Sequence, residues 1–229
     1  MERRELLVAA AAGAAGVAML GGGTVQAKDR DKKKIWRNNQ EFYTSDGKFN
    51  EYKAKDVIID LMKYHGYPVF DGIKKDLWVS DYGKGHFTAF GLAARMFMNN
   101  EEYRYMLMDL FLLPNQMLPE HWHVKTEKNP AKREGWLVRY GESHIVGIGE
   151  DNLSKEVKIP KCHNGGKTET RHEVLAKPGM FVPLAKVESK HWQWAGKEGA
   201  IITEVANVHD DAGVRHSDKA ANDFFLKGS

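Results

Sequence analysis

From about residue 86 to Val208 the chain is a succession of short apolar or alternating segments, each closed by glycine, proline or asparagine. Many short strands at turn-marked intervals point to an all-β sandwich or barrel. Tyr103 to Phe111 is rich in aromatic and apolar residues and reads as one strand. Glu134 to Gly149 reads as two strands around Gly141-Glu142-Ser143, and Arg171 to Ala185 as two more, broken at Lys177-Pro178-Gly179. Gly199 to Val208 is an apolar strand with Thr203 and Glu204 set into it. Ahead of this region, Ala54, Val57, Ile58, Leu61 and Met62 recur at helical spacing between a candidate N-cap, Asn50, and the stop signals Gly66 and Pro68. That stripe predicts a helix over 50–64 lying against the barrel. The chain of 229 residues supports one core of ordinary size, and no internal repeat or second domain boundary is visible.

Within this pattern the strongest chemical signal is Pro119-Glu120-His121-Trp122-His123. Alternate side chains of a strand share a face, so His121 and His123 point the same way and are spaced for one metal ion. Glu134 opens the next strand, and Gly141 follows seven positions on. His-x-His, a gap, Glu, six residues and Gly is the first sequence motif of cupins. Glu127 is the rival carboxylate, but Glu127 to Arg133 reads as a loop. A fourth ligand is expected from a later strand, and His191, before Trp192-Gln193-Trp194, is the best placed. The second cupin motif is degenerate here, because Ala195 stands where asparagine is usual. Three imidazoles and one carboxylate suit manganese, iron, cobalt, nickel or zinc alike. The remaining histidines, His209 and His216 among them, are read as solvated or hydrogen-bonded.

The expected fold is therefore all-β with peripheral helices, a cupin-type β-barrel (jelly-roll). From Phe42 to Asp218 the chain resembles the D-lyxose isomerase family of cupins. The likeness is carried by Phe42-Tyr43, Asp46-Gly47-Lys48-Phe49, Trp78 to Gly83, Phe87 to Gly91, Leu113-Pro114-Asn115-Gln116 leading into the His-x-His, Thr203-Glu204-Val205 and Asp210-Asp211. The resemblance implies a metal-dependent aldose–ketose isomerase acting on D-lyxose and D-xylulose, or D-mannose and D-fructose, through a cis-enediol. It also implies a preference for manganese and a homodimer. Glu204, a carboxylate in an apolar strand, is the expected base that moves the proton between C2 and C1, with Lys125 as a second catalytic candidate. Two other classes stay open at this point: a different cupin enzyme (oxygenase, decarboxylase or lyase), and a non-catalytic periplasmic protein that binds sugar or metal.

Residues 1–27 read as a signal peptide. Arg3-Arg4 precedes Leu6-Leu7, an Ala-rich run extends to Leu20, and Val25-Gln26-Ala27 offers small residues for cleavage. The paired arginines resemble a twin-arginine export signal, which makes the protein exported and periplasmic. The apolar run is too short for a stable membrane anchor. On this reading 28–229 is a single cupin domain with an N-terminal helical extension. The net charge of +3 is not gathered into one patch and gives no case for nucleic acid. The single cysteine, Cys162, excludes an intramolecular disulfide.

Overall fold

Two long strands organise the barrel in the computed structural model, which describes residues 35–228; the expected signal peptide and its cleavage site lie outside them. Strand β5 (Glu134–Gly147) and strand β8 (His191–Ala206) pair antiparallel along most of their length. Both bend midway, so each contributes to two sheets. One sheet runs through β1 (Trp78–Ser80), β2 (Leu92–Asn100), β3 (Tyr105–Leu112), the second half of β8, the first half of β5, and β7 (Phe181–Pro183). The other runs through β9 (Val214–His216), β4 (Met117–His123), the first half of β8, the second half of β5, and β6 (His172–Ala176). All of these pairings are antiparallel, and the two curled sheets enclose the core as a jelly-roll barrel.

The expectation of two strands between Glu134 and Gly149 is corrected by this arrangement. Gly141 has φ 70°, but it bends one continuous strand at a β-bulge and does not reverse it. The bend requires glycine for a second reason. A Cβ at Gly141 would lie 2.0 Å from the carbonyl oxygen of Gly199, where β8 makes its own turn at φ 72°. The corner is thus two backbones in contact.

Strand alternation decides what faces the interior. In β3, Met106, Met108, Leu110 and Leu112 belong to the barrel core, whereas Phe111 belongs to a second core outside it. In β8, Ala200 and Ile202 face the barrel core and Ile201 the outer one. Glu204 therefore shares the inner face. The outer core is closed by helix α1 (Glu51–His65), whose Ala54, Val57, Ile58, Leu61 and Met62 are all buried, as the helical spacing predicts. Asn50 caps it by accepting from the Lys53 amide, and Gly66 ends it in the left-handed region. A short helix α2 (Ile73–Asp76) and a C-terminal helix α3 (Lys219–Gly228) complete the periphery. None of the described helices is long and apolar enough to cross a membrane.

Candidate active site

His121 and His123 sit on β4 and His191 opens β8, on the same rung as His121. The three rings gather at the inner face of the sheet, with one ligating atom from each within 4.8 Å of the others. Their orientation is fixed locally. The Nδ1 of His121 lies 2.8 Å from the Pro119 carbonyl and that of His191 3.0 Å from the Ser189 carbonyl. A protonated Nδ1 donating to those carbonyls leaves each Nε2 with its lone pair facing the cluster. Burial pushes the pKa of all three imidazoles down, for His191 to about 4, so the neutral, metal-binding form prevails at neutral pH.

Glu134 lies across the cluster. Its Oε1 is 3.3 Å from His191 Nε2 and 3.5 Å from His123 Nε2. Glu127, the alternative carboxylate, is exposed in the loop after β4. The Oε1 of Glu134, both ring nitrogens of His123 and the Nε2 of His191 are buried without a hydrogen-bond partner. Unsatisfied polar atoms gathered at one point would be costly in a dry interior, and a divalent cation would satisfy them together. The residues present fit a metal.

Lys132 is the residue that reasoning from the sequence missed. Fully enclosed, it stands 3.1 Å from Glu134 Oε2 and donates to Glu204 Oε1. Burial works to lower its pKa, but the two carboxylates outweigh burial and the net shift is upward, so it is an ammonium ion. Trp136 donates from Nε1 to Glu204 Oε2 at 3.2 Å, so both oxygens of that carboxylate are held. Burial raises the pKa of Glu204, against the opposing pull of Lys132. A signal for Lys132 was present in the sequence. Lys132, Glu134 and Trp136 alternate, and extending the strand face two residues back from Glu134 reaches the lysine. Lys125 is not brought into this group. It is exposed, and its backbone amide bonds Glu188.

These groups open onto a cavity of about 560 Å³, lined by His121, His123, Lys132 and Glu204 on one side and by Trp78, Tyr82 and Phe225 on another. His209 and His216, expected as ordinary histidines, also line it. His209 is held by Asp211 at 2.8 Å. A buried carboxylate, an ammonium ion and two histidines of the three-histidine cluster facing one cavity can bind a polyhydroxylated molecule and move a proton on it.

No protein-family model matches the chain. It is 32% identical over 162 residues to a D-lyxose/D-mannose isomerase from Thermosediminibacter oceani, covering 69% of this chain and 87% of that one. It is 29% identical to a D-lyxose ketol-isomerase from a Thermofilum species, over 69% of this chain and 86% of the relative. Among solved structures, the L-ribose isomerase of Acinetobacter sp. DL28 in complex with L-ribose superposes with a TM-score of 0.54 at 14% identity, over 82% of this chain and 98% of the other. The L-ribose isomerase of Cellulomonas parahominis with L-psicose gives 0.53 at 13%, over 81% and 97%. The structural likeness shows the shared barrel, and the sequence identity shows the lineage: the chain belongs to the D-lyxose isomerase family.

Proposed function

We propose that the protein is a metal-dependent aldose–ketose isomerase that interconverts D-lyxose and D-xylulose, and D-mannose and D-fructose, through a cis-enediol. The observation that carries this reading is Glu204, a buried carboxylate clamped by Lys132 and Trp136 beside the three-histidine cluster and facing the same cavity. His121, His123, His191 and Glu134 would hold one divalent cation, with manganese our choice. When bound it supplies Lewis-acid charge for the two sugar oxygens at C1 and C2.

The chain's own groups do the rest. Glu204 removes the C2 proton and returns it to C1, and the pKa raised by burial makes its carboxylate a stronger base than an exposed one. Lys132 offsets one of the two negative charges of Glu134 and Glu204 and donates a hydrogen bond to the sugar oxygen on which negative charge grows. Trp136 keeps the carboxylate of Glu204 pointed at the reacting carbons. We further propose export through the paired arginines of the leader and function as a homodimer.

The test is turnover of a pentose and hexose panel by manganese-loaded protein, scored for ketose. Formation of D-xylulose from D-lyxose supports the reading. Tight sugar binding without turnover would assign the protein as a sugar-binding cupin, and inertness toward every aldose with metal fully loaded would remove the isomerase reading.

A further inference from the structure

His216 is an anomaly in the cavity wall. Only 6% of it is exposed, yet neither ring nitrogen has a hydrogen-bond partner. Its surroundings are rings: Tyr82 at 5.0 Å, Phe225 at 5.4 Å and His121 at 5.8 Å between centroids. An apolar side chain would suit that packing better, because each unsatisfied buried polar atom carries an uncompensated desolvation cost. A polar side chain kept at such a place calls for a partner. The partner must come from the cavity, since His216 lines it.

The location says which part of a ligand it would meet. β9 pairs with β4 so that His216 stands directly opposite His121. On the other side of β4, His121 pairs with His191 on β8. Lys132 and Trp136, which hold Glu204, belong to the β5 region beyond β8. His216 is thus separated from the proton-transfer group by the histidine cluster. A neutral imidazole at this place offers one N–H donor and one acceptor. That complement suits a hydroxyl group, which also donates and accepts.

We propose that His216 is a specificity-determining residue that hydrogen-bonds a hydroxyl of the sugar chain beyond C2, with Tyr82 and Phe225 packing the carbon chain beside it. This rests on the isomerase reading and adds which part of the sugar the β9 side of the cavity recognises. His216 takes no part in proton transfer. It fixes how far the chain reaches from Glu204 and rejects aldoses that cannot fill its hydrogen bond.

The experiment compares the manganese-loaded wild type with His216→Phe and His216→Gln. Each is titrated calorimetrically with D-lyxose and its 3-, 4- and 5-deoxy analogues, and kcat and KM are measured on the same sugars. In the wild type one deoxy analogue should bind about tenfold or more weakly than the parent, the usual worth of a hydrogen bond to a buried group. His216→Phe should bind D-lyxose about as weakly as the wild type binds that analogue and no longer distinguish the two, while His216→Gln recovers part of the discrimination. The melting temperature separates this role from a structural one. Removing two unpaired polar atoms in favour of an aromatic ring should leave Tm unchanged or higher, whereas a histidine kept for packing would lose stability with sugar affinity unmoved. Retention of full discrimination by folded His216→Phe, with turnover intact, would overturn the proposal and leave the isomerase reading standing. Failure of the folded, metal-loaded wild type to bind any of these sugars would overturn both.

Discussion

Glu134 and Glu127 make opposite predictions from the same side chain. Glu134 is buried, with Oε2 against Lys132 and Oε1 turned to His123 and His191 without a hydrogen-bond donor, while Glu127 is exposed in a loop. Glu134→Gln should weaken manganese binding at least tenfold, since even the outer partners of metal ligands typically contribute about ten- to a hundredfold. Glu127→Gln should leave affinity unchanged. Calorimetric titration of the apoprotein with manganese checks the ranking, and the reverse order would move the carboxylate ligand into the loop. Glu204→Gln separates binding from chemistry. The amide keeps the volume and most of the hydrogen bonding but cannot take a proton, so metal content and sugar affinity should persist while kcat falls by about a hundred- to ten-thousandfold. Near-normal kcat in this variant would place the base elsewhere.

At the level of elements, the C-terminal helix α3 is held onto the barrel by Asp218. Its carboxylate accepts from the Ala221 amide in the first turn, from the Asn164 amide, and from Lys84 Nζ at 2.9 and 3.0 Å. Burial acts to raise the Asp218 pKa, but these donors outweigh it and the net shift is below 3.8. A depressed folded-state pKa contributes stability that is present above the unfolded value and lost as pH falls through the folded one. Asp218→Asn should therefore cost about 1–3 kcal/mol at neutral pH, and the gap should begin to narrow as the pH falls below about 4, the ordinary carboxylate value. Denaturant melts at pH 7 and pH 3.5 measure both. A gap that widens on acidification would contradict the assignment. The elements also show what was legible in the sequence. Helix α1 was, because its stripe, cap and stop are local. The two bends were not: Gly141 looked like a hairpin turn because nothing local says that the chain beyond it keeps pairing with the same partner strand. Lys132 was hidden for a related reason, since a lysine beside a proline-containing loop looks solvated until two distant carboxylates are folded onto it.

For the whole molecule, one strand pair spanning both sheets brings ligands 70 residues apart to a single point: His121 and His191 share a rung although the chain between them makes three further strands. Such a site assembles only when the barrel closes, so metal binding and folding should be linked. The proposed export route fits this coupling, because a twin-arginine substrate crosses already folded. Replacing Arg3-Arg4 by two lysines should retain the metal-loaded precursor in the cytoplasm, as fractionation of expressing cells would reveal, and undiminished export would point to the general secretory route. The proposed transfer of a proton between C1 and C2 of a free aldose can be followed by incubating manganese-loaded protein with D-lyxose in heavy water and recording the products by NMR. D-xylulose should carry solvent deuterium at C1, because a proton held on Glu204 exchanges with the medium. D-xylulose without deuterium would indicate a hydride shift that bypasses Glu204, and absence of ketose would contradict isomerisation altogether.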